Sequence, residues 1–433
     1  MNAPKPHPMR GKSRVLLAAL MGTAVEFYDF FIYGTAAALV FGPLFFPAAS
    51  AAAQTLLAFA SFGIAFLARP VGAVVFGHFG DRIGRKSTLV ASLLTMGLST
   101  FAIALLPTYA VAGWIAPALL CLMRFGQGFG LGGEWGGAAL LTAEHAPAGW
   151  ESRFVSVMQL GSPIGFFAAN GVFLLLGALL SDAQFMAWGW RIPFIASAVL
   201  VAIGLYVRLR IEETPQFRAA LEREDVVRVP FVEIVSRHGG HLVAGAAGVV
   251  ATFAVFYIAT SFALALAVAE LGYDRQAILV VQMIANCFYI AGILMAGHLA
   301  DRTGPARVLA GGAIATALVG LIFEAGMRSG SLLLLGATLC AAMLVLGFNN
   351  GPLGSWLASL FPVRSRYTGV SLAFNAGGIL GGAVVPFVAQ LLVVRGLSRT
   401  TGVLLLLAGL ATLAGTAFAR PARIRHTIEG TVH

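Results

Sequence analysis

Gly77-His78-Phe79-Gly80-Asp81-Arg82-Ile83-Gly84-Arg85-Lys86 stands between two long apolar stretches. At an offset of 220 residues, Gly297-His298-Leu299-Ala300-Asp301-Arg302-Thr303-Gly304-Pro305-Ala306-Arg307 stands between two more. A second echo pairs Glu151-Ser152-Arg153-Phe154 with Arg364-Ser365-Arg366-Tyr367. Echoes at matching places mean a chain written twice, as two similar halves.

The solvent for those halves follows from composition. Of 433 residues, 59% are hydrophobic and 11% charged, and mean hydropathy is +0.88. A soluble domain cannot hide that much apolar surface behind so few charges, which excludes a soluble enzyme and a nucleic-acid-binding domain. Windows of about 20 apolar residues, enough to cross a bilayer core of roughly 30 Å, fall at 15–41, 54–77, 88–106, 114–139, 155–180 and 191–207. A second set falls at 242–268, 277–298, 309–327, 332–358, 368–394 and 401–419. The expected fold is therefore an all-α membrane protein: twelve transmembrane helices in two pseudo-symmetric six-helix bundles, 15–207 and 242–419. A polar linker, 208–241, joins them, with tails at 1–14 and 420–433. The linker reads as solvated, with a short amphipathic helix running to Glu224 after its Thr214-Pro215 start signal.

The net charge of +10 is a topology signal. With both termini on one side, that side takes 21 of the 28 Lys and Arg residues and the other takes Arg191, Arg275, Arg328, Arg395 and Arg399. The positive-inside bias makes the first side cytoplasmic, in a multi-pass protein of a bacterial inner membrane. The basic N-terminal stretch before an apolar run imitates a signal peptide, but the run is too long and is read as an uncleaved first span. Cys121, Cys287 and Cys340 lie inside spans without paired spacing and are read as packing residues.

Asp81-Arg82-Ile83-Gly84-Arg85-Lys86 after the second span resembles the signature of the major facilitator superfamily. Glu26-Phe27-Tyr28-Asp29-Phe30, Arg69-Pro70-Val71-Gly72, Arg124-Phe125-Gly126-Gln127-Gly128, Gly133-Glu134-Trp135-Gly136-Gly137, Glu213-Thr214-Pro215-Gln216-Phe217 and Arg366-Tyr367-Thr368-Gly369 resemble its metabolite:proton symporter branch. That resemblance implies transport of organic acids or compatible solutes, coupled to protons through an acid in the first span.

Ions inside a bilayer are costly and are functional hypotheses by default. Glu26 and Arg124 fall near the midplane at about 1.5 Å per residue, so an ion pair between spans one and four is expected. Protonation of Glu26 would then release Arg124 to bind an anionic substrate in a two-pronged fashion. Asp29 lies one turn further along the same face with no basic residue at its depth, and a carboxylate desolvated without a cation suits a proton carrier. Arg69 and Glu134 are expected to form an ion pair nearer the cytoplasmic side. Tyr28, Tyr33 and Gln127, with Tyr257, Asn286, Tyr289, Asn349 and Asn375 from the second half, complete the expected substrate-binding set.

The two Asp-Arg loops are read as a cytoplasmic gate of Gly77, Asp81, Arg82, Gly84, Arg85, Lys86, Asp301 and Arg302. Asp81 would cap the positive end of the eleventh helix near Tyr367, and Asp301 that of the fifth near Phe154. The second copy has Pro305-Ala306 where the first has Arg85-Lys86, so its clasp is expected to be the weaker.

Three apparent motifs are decoys. Gly128-Phe129-Gly130-Leu131-Gly132-Gly133 matches a dinucleotide fingerprint but lies inside an apolar span with no strand before it. Gly80 to Ser87 imitates a phosphate loop with the wrong spacing, and the histidines lack zinc spacing. The expected function is proton-coupled uptake of a small polar metabolite, an organic acid anion such as a dicarboxylate, tricarboxylate or shikimate-like acid. Rivals are a zwitterionic osmolyte such as proline or betaine as the solute, or proton-driven export of drugs or metabolites. No enzyme activity, metal, cofactor or nucleic acid is expected; the partners are solute, protons and lipid, and the working unit is a monomer.

Overall fold

The computed structural model describes residues 13–47, 51–209, 230–395 and 397–419. The two tails and most of the linker, including its expected amphipathic helix, lie outside the described residues. Among the described residues there is no strand. The first bundle consists of α1 Val15–Ala36, α2 Gly63–Arg82, α3 Lys86–Leu105, α4 Ile115–His145, α5 Glu151–Leu179 and α6 Gly189–Leu209. The second consists of α7 Gly239–Val268, α8 Gln276–Thr303, α9 Pro305–Met327, α10 Leu332–Leu360, α11 Val363–Ala389 and α12 Gly402–Phe418. Eleven of these are long and apolar enough to cross a membrane. The twelfth has 17 residues, about 26 Å of helix at 1.5 Å per residue.

The repeated motif is the helix stop between α2 and α3 and between α8 and α9. Gly84 and Gly304 have φ of 116° and 97°, where side-chain-bearing residues are strained. The next helix begins at Arg85 or at Pro305, the latter preset for a first-turn position. Packing follows the same symmetry. α2 lies along α4 as α8 lies along α10, and α3 pairs with α6 as α9 pairs with α12. Close approach of α2 to α4 needs missing side chains: a Cβ on Gly132 would stand 2.6 Å from the Ala73 nitrogen. That is the physical role of the glycines that imitate a dinucleotide fingerprint. Leu67, Leu98, Leu321 and Phe387 face outward and exposed, as a lipid-facing surface requires. Cys121 and Cys340 are half-buried, Cys287 is exposed, and all are free.

The halves meet where α11 crosses α2 and α5 crosses α8. The face carrying the two Asp-Arg turns is called the basic face below.

Candidate functional site

A cavity of about 490 Å³ of empty space, part of it open to solvent, lies between the halves. Glu26, Phe27, Phe30, Arg69, Trp135 and Ser162 line it from the first half. Thr252, Phe253, Phe256, Tyr257, Tyr289, Leu346, Asn350 and Phe374 line it from the second. Towards the basic face the Trp135 and Phe374 rings stack across the halves at 3.6 Å and 5°. Towards the opposite face Phe31 meets Phe256 at 5.6 Å and Phe30 meets Tyr257 at 6.4 Å between ring centroids. Aromatic contacts between the halves therefore narrow both ends.

Glu26 is 3% exposed and makes no hydrogen bond among the described residues, and its Oε2 is a buried oxygen without a partner. Among the described residues, Arg69, 7% exposed, makes no salt bridge with a carboxylate. Its guanidinium rests 5.2 Å from the Phe30 ring centroid and 5.1 Å from that of Phe66, with Nε unsatisfied. One acid and one cation thus share the cavity without being paired.

The expected Glu26–Arg124 pair is not formed. Three helical residues separate Glu26 from Asp29, which turns the second side chain by about 60° from the first. Glu26 faces the cavity, while Asp29 turns into the first bundle and accepts a hydrogen bond from Ser197 Oγ. Arg124 belongs to that second cluster: it donates to Gln127 Oε1 and stacks 4.0 Å from the Tyr33 ring centroid. Gln127 Nε2 donates to Thr100 Oγ1 at 2.9 Å and to the Asp29 carbonyl at 3.3 Å. Asp29 therefore has a basic neighbour in Arg124, contrary to expectation, and release of Arg124 by Glu26 has no geometric basis.

The expected Arg69–Glu134 pair is also replaced. α2 continues to Arg82, so Arg69 lies roughly 20 Å from the basic end of its helix, at the midplane and not near the edge. Glu134 pairs instead with Arg208, 2% exposed in the last turn of α6, and accepts from Ser92 Oγ at 2.9 Å. Sequence reading had placed Arg208 in the polar linker. Its side chain passes over Gly22 of α1, where a Cβ would stand 3.1 Å from Arg208 Nε.

Of the expected substrate-binding side chains, Tyr257 and Tyr289 line the cavity. Arg124, Tyr28, Tyr33, Gln127, Asn286, Asn349 and Asn375 do not. Tyr28 donates to the Pro193 carbonyl at 2.9 Å, and Tyr33 shares a 2.7 Å hydrogen bond with Ser61. Asn349 turns to Thr316 at 2.8 Å, one residue short of Asn350, which does reach the cavity. Asn286 and Asn375 tie the halves together through the carbonyls of Pro163 and Gly132, at 3.2 and 3.0 Å. Trp135, Ser162, Thr252 and Asn350 line the cavity as well, and no period in the sequence marks which way they turn.

At the basic face, Asp81 accepts from the backbone nitrogens of Tyr367 and Thr368, both at 3.0 Å, and from Thr368 Oγ1 at 2.9 Å. Asp301 accepts from the nitrogens of Ser152 at 2.8 Å and Arg153 at 3.3 Å, and pairs with Arg153 Nε at 3.2 Å. A Cβ on Gly77 would meet Thr368 Oγ1 at 2.8 Å, so the first contact needs that glycine. Arg82 contacts His78 at 3.3 Å and Arg302 is exposed; among the described residues neither makes a hydrogen bond or ion pair with the other half. Lys86 donates to the Leu209 carbonyl at 2.9 Å, while the Arg85 side chain lies outside the described residues. Arg366 reaches Glu144 at 3.5 Å, and Arg364 reaches Glu233 of a short helix, Pro230–Arg237, at 2.7 Å.

A two-bundle membrane fold with a cavity between the bundles points to a transporter, and comparison with known proteins gives its family. The chain belongs to the major facilitator superfamily, whose family model matches residues 19–386; it is a membrane transporter and not an enzyme. It is 47% identical over 416 residues to the inner membrane metabolite transport protein YhjE of Escherichia coli strain K12, covering 94% of each chain. It is 36% identical to the shikimate transporter of the same strain, covering 88% of this chain and 87% of the other. Among solved structures, the proton:xylose symporter XylE with a bound sugar analogue superposes with a TM-score of 0.74 at 16% identity, covering 95% of this chain and 96% of that one. That likeness supports the fold.

Proposed function

We propose that this transporter is a proton-coupled symporter that takes up a small organic acid anion by alternating access. The observation that carries the reading is the cavity itself, where Glu26 has no hydrogen bond and Arg69 no carboxylate. A buried acid and a buried cation left unpaired in the path between the halves are poised for a proton and an anion. Arg69 anchors the solute carboxylate, with Arg124 kept as a structural cation beside Asp29. Glu26 is the proton acceptor that feels the solute, and Asp29 is a second acceptor inside the first bundle. The proton gradient drives the cycle without a cofactor, and a single chain suffices. The 21 Lys and Arg assigned to the basic side put that face and both termini in the cytoplasm of a bacterial inner membrane. The gate contacts at Asp81 and Asp301 then hold the cytoplasmic side shut.

The test is uptake of radiolabelled shikimate, malate and citrate into proteoliposomes under an imposed inward proton gradient. At least one acid should accumulate, with loss of accumulation in Arg69→Gln and loss of gradient dependence in Glu26→Gln. Uptake that ignores the gradient in the wild-type protein would sink the coupling. A second reading, a zwitterionic osmolyte, is favoured by the aromatic rings around Glu26, which suit a quaternary ammonium group. Accumulation of betaine in preference to all three acids would select it.

A further inference from the structure

We infer that the central cavity selects a solute with a single carboxylate and uncharged hydrogen-bonding groups at its far end, excluding di- and tricarboxylates. The inference rests on the organic-acid reading above and narrows it. Among the described residues, Glu26 and Arg69 are the only formally charged side chains lining the cavity, and both come from the first half. The second half offers Thr252, Tyr257, Tyr289 and Asn350, all uncharged, set among phenylalanines.

The other buried charges near the cavity are already spoken for. Glu134 is neutralised by Arg208 behind the Trp135 ring. Arg124 stands in the Asp29 cluster and does not line the cavity; the Phe30 ring centroid lies 5.3 Å from it and 5.2 Å from Arg69. A first carboxylate on Arg69 replaces its lost water with a charge-assisted contact. A second carboxylate would be stripped of water among aromatic rings with no cation to meet it, and such a charge is excluded unless paired. Hydroxyl or carbonyl groups meet no such penalty. The Asn350 amide and the Tyr289 hydroxyl already bond one another, and Thr252 Oγ1 has no hydrogen-bond partner among the described residues. With Glu26 carrying the proton, one bound monoanion leaves the cavity electrically neutral, as it is when empty with Glu26 ionised.

The experiment is thermal stabilisation of purified full-length protein by four charge classes at equal concentration. These are monocarboxylates (quinate, shikimate, gluconate, 3-hydroxybutyrate), dicarboxylates (succinate, malate), tricarboxylates (citrate, tricarballylate) and zwitterions (betaine, proline). Stabilisation confined to the monocarboxylates, and weakened about a hundredfold in affinity by Arg69→Gln through loss of the charged contact, is the expected result. Strongest stabilisation by a di- or tricarboxylate overturns the inference while leaving the organic-acid reading intact. Strongest stabilisation by a zwitterion, or none by any acid, overturns that reading itself. A gain-of-function variant keeps the test sharp should Arg69→Gln fold poorly. Thr252→Lys supplies a second cation without breaking any hydrogen bond and should make succinate or malate a stabiliser. If Thr252→Lys still rejects both while binding monocarboxylates, charge pairing is not what sets the limit.

Discussion

The clasp at Asp81 and the clasp at Asp301 are copies of one device, and they close by different means. In the first, α11 gives the carboxylate three donors, and the Tyr367 ring lies against Gly80. Its hydroxyl reaches the Gly133 carbonyl at 2.8 Å. In the second, Ala300 stands where Gly80 does. One contact comes from Arg153, whose side chain is 25% exposed. The second contact extends inward through polar pairs on one side of α5: Ser152 with Ser355 at 2.9 Å, Ser156 with the Gly351 carbonyl at 3.1 Å, and Gln159 with the Asn350 carbonyl at 3.1 Å. A gene-doubled scaffold has kept the carboxylate and changed its support. One side relies on an inserted ring, the other on a row of amides and hydroxyls ending at the cavity.

Separation of the halves is read by labelling Ser371→Cys; the Ser371 hydroxyl is buried where α11 meets Gly136 of α4 and has no partner among the described residues, so its replacement breaks no hydrogen bond. Asp81→Asn should have the largest effect. Weakening three charge-assisted hydrogen bonds costs about 3 kcal/mol, on the order of a hundredfold in the open fraction and hence in maleimide labelling rate. Asp301→Asn should raise the rate by about tenfold to thirtyfold, since a partly solvated Arg153 can be rehydrated. If the two were equal, the contrast drawn above would have no energetic content. Gly80→Ala forces a methyl against the Tyr367 ring and should cost about 1–3 kcal/mol by overpacking. The matched change Ala300→Gly should stay below about 1 kcal/mol. Arg153→Gln should be the smallest, within about threefold and fading at high salt. Asp81→Asn and Asp301→Asn combined should add in free energy, because the clasps share no residue; strong non-additivity would mean that they open as one.

Much of this architecture was legible in the chain. The apolar windows and the doubled motif announced two six-helix bundles with an Asp-Arg loop at the matching place in each. The ion pairs were less legible, for physical reasons. Depth along a helix can be counted, but only after its end is known. α2 and α4 run past their apolar windows to Arg82 and His145, which moved Arg69 to the midplane. Arg208 looked like linker because it sits beside polar residues, yet the helix carries it into the bundle. Facing is harder still. Glu26 and Asp29 differ by a fraction of a turn, and Asn349 and Asn350 by one residue, and in each pair only one side chain reaches the cavity. Hydropathy does not distinguish the members of such pairs when every surrounding residue is apolar.

Phe30 touches both buried guanidinium groups, Arg69 at 5.2 Å and Arg124 at 5.3 Å from its ring centroid. A single ring is thereby shared by two chambers, one lined for cargo and one within the first bundle. A tilt of α1 that moved this ring would change the surroundings of both arginines at once. Events at Glu26 would then be felt at Asp29 with no chain of hydrogen bonds linking them.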